Sequence, residues 1–235
     1  MKPLLLLAVL PVFIMGWTSC SHSGRGQASL PDPRSLDKSV PEYRNPFHPS
    51  TYAHFAARKD YRKTYDVYKD DALLKRKGKK SRKIFVSLDD QRGQYLVDGL
   101  IAMDFPLSSG VKAYPTRTGD YTVISKKEDH ASNLYGKMYD AEGKCIDYNA
   151  ESTDPVPEGG RFNGSPMPYW QRLTNAGLGL HVGKVRRHPV SHGCVRLPRN
   201  VARILYEQTS VGTPVTIQRA SAPVPEVQKT PAVQK

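Results

Sequence analysis

Residues 178–198 read LGLHVGKVRRHPVSHGCVRLP, and the rest of the chain is interpreted from this stretch. Its first part, residues 178–182, predicts a strand with a glycine that permits close approach of another backbone. The strand carries His181, and the later Ser-His-Gly-Cys run ends at Cys194. A thiol is a poor nucleophile near neutral pH because its usual pKa is about 8.5, but a neighbouring imidazole can accept its proton. The stretch therefore predicts nucleophilic chemistry at Cys194.

The residues around Cys194 suit acyl chemistry, each for a separate reason. His181, on its own strand, is placed to act as a general base oriented by a hydrogen bond of its own. Gly193 permits a sharp bend that aims successive backbone N–H groups at a developing oxyanion. The hydroxyl of Ser191 can orient an imidazole, and the guanidinium fork of Arg196 can bind a substrate carboxylate.

The residues alone leave two alternatives open for this cluster. In the first, Cys194 is a small buried side chain and His192 is a hydrogen-bonded core histidine. In the second, a metal is bound by side chains with nitrogen or sulfur ligands, namely His181, His188, His192 and Cys194. The spacings do not match the paired short knuckles of structural zinc sites, so we expect no metal. If the run is extended, His192 shares a face with Cys194, which favours a role in the chemistry.

The flanking segments predict a mainly β domain with one clear helix. Three segments predict further strands: 84–88, 121–124 and 215–217. Asp98-Gly99 predicts a hairpin between two apolar segments, because glycine tolerates the positive φ of such turns. Residues 201–208 predict a helix with Asn200 as its cap. Residues 125–172 have no clear periodicity, and we interpret them as an insertion or a lid.

The N-terminal residues predict export. Lys2 supplies a positive charge, and residues 4–15 form an apolar run that suits a signal peptide better than a membrane span of about 20 residues. Small residues then precede Cys20, which resembles the lipobox of bacterial lipoproteins, although Trp17 stands where an aliphatic residue is usual. We expect residues 1–20 to be a signal peptide of the lipoprotein type, in which Cys20 becomes the acylated first residue and tethers the chain to a membrane.

Composition predicts how the remaining residues are organised. Residues 21–82 read as a flexible basic tether, in which the aromatic spacing of 51–74 predicts one short helix. Residues 83–219 read as the folded domain, and 220–235 as a disordered tail. The net charge of +13 favours an anionic partner. The basic run Lys75–Lys83 is interpreted as solvated linker, because no RNA-binding motif or finger spacing accompanies it, and we expect no nucleic-acid partner.

The chain has three cysteines. With Cys20 assigned to the lipid, Cys145 and Cys194 are left in an exported protein, where unpaired thiols need a reason. A disulfide between them, which would switch the nucleophile off, stays an alternative to an inert Cys145 and a reactive Cys194.

Two segments of the opening stretch, Leu180–Gly183 and Pro189–Pro198, resemble the signature of the L,D-transpeptidase catalytic domain, the YkuD family. That signature is a histidine, a spacer and a Ser/Thr-His-Gly-Cys run, with Arg or Asn two residues beyond. The resemblance extends more loosely over 83–219. Two further segments are similar to family elements: 119–124 and 167–170. The chain departs from the family in Arg117-Thr118, where Thr-Pro is frequent, and in a short nine-residue spacer that predicts a small flap over the site.

The resemblance implies a β-sandwich-like domain with a cradle-shaped site and one or two short helices. It implies a cysteine acyltransferase that needs no metal or organic cofactor. The residues it assigns are Cys194 as nucleophile, His181 as proton acceptor and donor, Ser191, His192 and Gly193 as further catalytic residues, and Arg196 and Tyr169 as substrate-binding residues. The backbone carbonyl after His181 would hold the ring in one tautomer, and N–H groups at 192–194 would stabilise the oxyanion.

The resemblance also implies a substrate, the stem peptides of peptidoglycan. Cys194 would form a thioester with the third residue of a donor stem, D-Ala would leave, and the amine of a second stem would complete a 3–3 cross-link. Water as acceptor would make the enzyme an L,D-carboxypeptidase, and a protein lysine would attach a lipoprotein to the wall. A non-catalytic wall-binding lipoprotein is a further alternative. All of these place the chain in the cell envelope, on the periplasmic side and anchored to a membrane.

Overall fold

The computed structural model describes residues 49–76 and 81–222. The predicted signal peptide with Cys20, the first part of the tether and most of the tail lie outside the described residues. Among the residues that are described, no helix is both long and apolar enough to span a membrane.

The described residues form three α-helices, a short 3-10 turn and thirteen strands. The helices are α1 (Tyr52–Ala57), α2 (Asp71–Leu74) and α3 (Arg199–Gln208), and the 3-10 turn is Tyr61–Lys63. The strands are β1 (Tyr68–Lys69), β2 (Arg82–Ser87), β3 (Arg92–Val97), β4 (Leu100–Pro106), β5 (Gly119–Thr122), β6 (Ser125–Lys127), β7 (Ala131–Tyr139), β8 (Cys145–Glu151), β9 (Arg161–Pro166), β10 (Trp170–Arg172), β11 (Gly179–Val182), β12 (Val195–Leu197) and β13 (Pro214–Gln218).

The strands form three sheets. A six-stranded sheet has the order β1-β4-β3-β2-β13-β5, a four-stranded sheet the order β12-β11-β10-β6, and a three-stranded sheet the order β8-β7-β9. Within these sheets β2 with β13 and β11 with β12 pair in parallel, and the other pairs are antiparallel. The predicted mainly β fold with few, short helices is confirmed.

The main core lies between the two larger sheets and α3. Alternate residues of β2 and β13, such as Ile84 and Ile217, point into it, as do Leu180 and Leu197 of the four-stranded sheet. α3 adds residues spaced four apart, Val201 and Leu205 among them. This arrangement buries one face of the β11–β12 pair and leaves the other face available for a site.

One of two predicted local features is found as expected and the other is shifted. The hairpin at Asp98-Gly99 joins β3 and β4, and both residues have positive φ, 52° and 77°. The predicted helix cap at Asn200 is wrong, because α3 begins two residues earlier than expected, after Pro198. The carbonyl of Pro198 accepts the Ala202 N–H at 2.9 Å, so the proline starts the helix and Asn200 lies within its first turn.

The part of the expected tether that the structure describes is packed against the domain. β1 pairs with β4, with Tyr68 opposite Asp104. Four aromatic side chains pack together against Ile101 of β4: Tyr52, Phe55, Tyr61 and Tyr68. The aromatic spacing that predicted a short helix does lie at α1, but these rings are buried because they complete a second apolar cluster on the sheet.

A buried ion pair joins this N-terminal segment to the sheet. Arg92 Nε donates to Asp104 Oδ1 at 2.5 Å, and both side chains are almost fully buried, 3% and 2% exposed. The hydroxyl of Tyr52 donates to Asp104 Oδ2 at 2.6 Å. The remaining guanidinium N–H groups of Arg92 donate to three carbonyls of the segment, those of Tyr61, Thr64 and Asp66. One charged pair therefore organises polar groups from two separate parts of the chain.

Candidate active site

The two strands that carry the predicted site lie side by side. β11 and β12 pair in parallel, with His181 opposite Arg196 and Leu180 opposite Val195. Because alternate strand residues share a face, Leu180 and Val195 point into the core, whereas His181, Arg196 and Cys194 project from the other face. The structure thus brings the predicted base, the predicted nucleophile and the predicted carboxylate-binding residue to one surface.

His181 is held in a single tautomer. Its Nδ1 lies 2.7 Å from the carbonyl oxygen of Val182. A carbonyl only accepts hydrogen bonds, so Nδ1 carries the proton and Nε2 has the lone pair of a base. The side chain is 6% exposed, and this burial lowers the pKa of His181 to about 4. The imidazole is therefore neutral at neutral pH, and the contact is the one that the family resemblance implies.

The thiol of Cys194 rests in a neutral state. Its Sγ donates to the carbonyl of Gly177 at 3.3 Å. Burial raises the pKa of Cys194, while the N–H of Gly179 and the charge of Arg196 lower it by less. Gly179 has no room for a side chain, since a Cβ there would lie 2.5 Å from the ring of Trp170. The close approach predicted for this glycine lets an indole cover the strand beside the thiol.

Trp170, not Tyr169, contacts His181. β10 pairs with β11, and the ring centroids of Trp170 and His181 are 5.8 Å apart. The ring of His130 stacks on Trp170 with the centroids 5.1 Å apart. Tyr169 instead contacts Tyr206 of α3, with the ring centroids 5.6 Å apart. The structure therefore does not bring Tyr169 to the site, because neighbouring residues of an extended chain project to opposite faces.

Ser191 shapes the backbone at the nucleophile. Its hydroxyl donates to the carbonyl of Cys194 at 2.5 Å and accepts the N–H of Gly193 at 3.2 Å. Thr116, which the sequence did not single out, donates to the Gly193 carbonyl at 2.6 Å and accepts the N–H of Gly110 at 2.8 Å. Gly193 has φ of 110°, a left-handed value that favours glycine. The expected contact of Ser191 with an imidazole is replaced by this backbone role.

Arg196 lies beside Cys194 on the same face. Its backbone N–H and carbonyl bond to Ser108 at 2.8 and 3.0 Å. Its side chain runs so close to Gly183 that a Cβ there would lie 2.7 Å from the arginine Cγ. Burial lowers the pKa of Arg196, and the neighbouring Cys194 raises it. The guanidinium therefore remains charged next to the thiol, in position to meet an anionic group.

His192 is held between two tyrosine rings. Tyr135 of β7 stacks on it with centroids 4.3 Å apart and planes 20° apart, and Tyr114 lies 4.7 Å away at 51°. Tyr135 belongs to the three-stranded sheet of residues 131–166, called the insertion below, which lies within the segment predicted as an insertion or lid. Burial raises the pKa of Tyr135, with smaller contributions from Glu151, Tyr114 and Cys194. The insertion therefore contacts the Ser-His-Gly-Cys run.

The remaining cysteine and histidine are not gathered at this site. Cys145 and Cys194 are both free, and Cys145 Sγ donates to the carbonyl of Asp147 at 3.4 Å within β8. His188 is exposed, with Nδ1 3.3 Å from the carbonyl of Pro189. Within residues 49–76 and 81–222, no group of three or more His, Cys, Asp or Glu side chains is placed to hold a metal.

The residues at the two ends of the basic run Lys75–Lys83 lie away from the Cys194 site. Lys75, Arg76 and Arg82 line an open cavity of about 560 Å³ at the C-terminal end of α3. Arg82 donates to both the carbonyl and the side-chain oxygen of Gln208 at 2.8 and 2.6 Å. The guanidinium of Arg82 therefore donates a hydrogen bond to a backbone carbonyl at the C-terminal end of α3. The cavity shares no residue with the Cys194 site.

Comparison with known proteins identifies the family of this chain. The family described as YkuD, the L,D-transpeptidase catalytic domain, matches residues 81–217, so the chain belongs to this family. A curated relative, "Probable L,D-transpeptidase 3" of Mycobacterium tuberculosis, is 32% identical over 120 residues, which are 48% of this chain and 38% of the relative.

Solved structures of the same kind are also similar. An L,D-transpeptidase from Mycobacterium smegmatis matches with TM-score 0.46 and 22% identity over 59% of each chain. L,D-transpeptidase 3 from Mycobacterium tuberculosis matches with TM-score 0.44 and 24% identity over 59% of this chain and 61% of that one. The chain thus spans about two fifths of the curated relative and about three fifths of these structures.

Proposed function

We propose that this chain is a cysteine acyltransferase that joins peptidoglycan stem peptides. Cys194 attacks the carbonyl between the third residue of a donor stem and its terminal D-Ala, and D-Ala leaves. The thioester that remains is attacked by the side-chain amine of a second stem, which gives a 3–3 cross-link. Family membership supports the reaction class, and the shared face of His181 and Cys194 is the observation that carries the proposal.

Proton transfer in this proposal starts from two neutral groups. As the bond between Sγ of Cys194 and the carbonyl carbon forms, Nε2 of His181 accepts the thiol proton. The resulting imidazolium is stabilised by its Nδ1–H bond to the carbonyl of Val182, at 2.7 Å. It then gives the proton to the leaving amine of D-Ala. The depressed pKa of His181 makes the imidazolium a strong acid, which suits this second transfer.

Two backbone N–H groups are the best candidates for stabilising the oxyanion. The N–H of Gly193 is engaged by Ser191 Oγ at 3.2 Å, so we assign the role to the N–H groups of His192 and Cys194. Arg196, beside the thiol, is assigned a carboxylate of the donor stem. Trp170 replaces Tyr169 as the aromatic residue next to the base.

The same acyl-enzyme supports the alternative acceptors, water or a protein lysine. The paired His181 and Cys194 favour catalysis over a non-catalytic wall-binding role, which needs neither residue.

We place the protein in the cell envelope, on the periplasmic side, with peptidoglycan as its partner and a lipid on Cys20 as its membrane anchor, on the strength of the N-terminal sequence. Mass spectrometry of the mature N terminus distinguishes acylated Cys20 from a signal peptide that is cleaved without lipid addition.

The proposed chemistry is tested with a disaccharide-tetrapeptide as substrate. The wild type is expected to release D-Ala, to show a thioester adduct on Cys194 by intact-protein mass spectrometry, and to be acylated by a carbapenem at the same residue. Cys194→Ala removes all three signals, and Cys145→Ala, which changes the other described cysteine, keeps them. A folded wild-type sample that forms neither adduct would refute the proposal.

A further inference from the structure

The residues near Cys194 differ in charge from the insertion. Arg196 lies beside Cys194, and Lys184 and Arg186 of the β11–β12 connection are exposed. The insertion, which reaches His192 through Tyr135, has six acidic and three basic residues in a chain of net charge +13. A donor carboxylate is therefore attracted to the basic residues and an acceptor ammonium to the insertion.

Among the acidic residues of the insertion, Glu151 is the one that strand register places beside Tyr135. It lies directly opposite Tyr135 in the β7–β8 pair, and directly opposed residues project on the same face. The ring of Tyr135 stacks on His192, which is two residues from Cys194. The backbone of Glu151 is fixed by its N–H bond to Asp154 Oδ2 at 2.6 Å. The exposed carboxylate and the thiol also both act on the pKa of Tyr135.

The charged residue of β7, Lys137, contacts an aromatic ring. The ammonium of Lys137 lies over the ring of Tyr148, 5.1 Å from its centroid. The stacked rings of Tyr135 and His192 add an aromatic face beside Glu151, and aromatic faces attract ammonium groups. A cation that approaches from the insertion side thus meets a carboxylate and a ring at the edge of the site.

We propose that Glu151 is a specificity residue that binds the ammonium group of the acyl acceptor, so that the acyl group is transferred to an amine in preference to water. The inference rests on the proposed function and adds to it the class of acceptor. It assigns the insertion to the acceptor and the Arg196 side to the donor.

The transfer step is balanced without any further reactant. The bound ammonium loses one proton to solvent, and the free amine nitrogen attacks the thioester carbonyl. The new carbon–nitrogen bond forms as the carbon–sulfur bond breaks, and the second proton of the nitrogen passes through Nε2 of His181 to the departing sulfur of Cys194. Glu151 forms no covalent bond and acts only by raising the local concentration of the amine.

The experiment measures how the acyl-enzyme divides between amine and water. The full chain is given a disaccharide-tetrapeptide as donor and acceptor, and the ratio of cross-linked dimer to hydrolysed tripeptide is read by mass. Glu151→Gln is expected to lower this ratio about tenfold, because a charge-assisted contact is lost, and to raise the KM for the amine. Added salt is expected to lower the wild-type ratio but not that of the variant.

Glu142→Gln is the matched control, because Glu142 is an exposed acid of the same insertion in the β7–β8 turn. It should partition like the wild type, and an equal loss in Glu142→Gln would overturn the specific role of Glu151. Carbapenem acylation, which uses no amine, should proceed at the wild-type rate in both variants and shows that each is folded. If the wild type is not acylated, the proposed function fails. If all forms are acylated and Glu151→Gln partitions like the wild type, only the present inference fails.

Discussion

At the scale of single residues, the site rests with both reactive groups uncharged. Burial lowers the pKa of His181 to about 4 and raises that of Cys194 above its ordinary value. At neutral pH the thiol therefore keeps its proton and the imidazole lacks one, so no thiolate–imidazolium pair exists before substrate binds. In the proposed mechanism the thiolate forms only while the bond to an electrophile forms, when the imidazole of His181 takes the proton.

This resting state predicts the pH dependence of alkylation at Cys194. Iodoacetamide needs a thiolate, and a buried thiol has an elevated pKa, so the alkylation rate should keep rising through the range above about pH 8.5. The rate is measured by mass spectrometry of a Cys145→Ala variant, in which Cys194 is the one cysteine among the residues that the structure describes. A rate that is already level by about pH 7 would show a preformed thiolate and contradict the burial argument.

The placement of some site residues could be predicted from the sequence, and that of others could not. Strand alternation, which is visible in the sequence, puts Cys194 and Arg196 on one face. The parallel register that sets His181 opposite Arg196 is a tertiary pairing that the sequence does not show. Tyr169 and Trp170 are adjacent aromatic residues, and only the packing of β10 shows that Trp170 is the one that contacts His181. Thr116 reaches Gly193 from 77 residues away, and no local pattern predicts such a contact.

At the scale of elements, the insertion contributes to the site through one aromatic stack. Tyr135→Ala removes the ring that holds His192, and because aromatic pairs contribute about 0.5–1.5 kcal/mol, carbapenem acylation of Cys194 should slow about two- to tenfold. Tyr135→Phe keeps the ring and should acylate at close to the wild-type rate.

The matched control for this stack is Tyr139→Ala. Tyr139 ends the same strand, and its ring contacts the guanidinium of Arg161 at 5.2 Å instead of His192. Stopped-flow fluorescence or timed mass spectrometry gives the rates. A Tyr135→Ala variant that is acylated as fast as Tyr139→Ala would show that the stack does not support the nucleophile.

The interpretation of 125–172 as an insertion or lid is wrong at its two ends, because β6 and β10 belong to the four-stranded sheet. For the insertion itself, the sequence did not show the β structure. The register of β7 shifts between Gly136 and Met138 and again before Tyr139, and such bulges break the alternation from which strands are predicted. Its apolar residues are also shared among only three short strands, so Met138 and Ala150 are buried while Leu134 is exposed. A pattern this irregular resembles a loop until its partners are known.

At the scale of the whole molecule, the folded unit extends further toward the N terminus than residue 83. Residues 51–74 lie within the predicted tether, where their aromatic spacing predicts one short helix, and in the structure their rings complete a cluster on β4. Arg92, paired with Asp104, also holds three carbonyls of the segment. The segment is therefore part of the folded unit and is fixed to the sheet by apolar and by charged contacts.

This attachment predicts a large effect from one isosteric change. Asp104→Asn leaves the guanidinium of Arg92 buried without its counter-charge, and breaking a buried pair in this way costs about 3–5 kcal/mol of unfolding free energy. Asp89→Asn is the control, because the pair of Asp89 with Arg219 is largely exposed, and such a loss is expected to cost about 1 kcal/mol or less. Urea denaturation gives both values.

Because Arg92 also anchors the carbonyls of Tyr61 and Thr64, limited proteolysis of Asp104→Asn should cut first in this segment while carbapenem acylation of Cys194 persists. Equal stability of the two variants would mean that the buried ion pair does not hold the N-terminal segment in place.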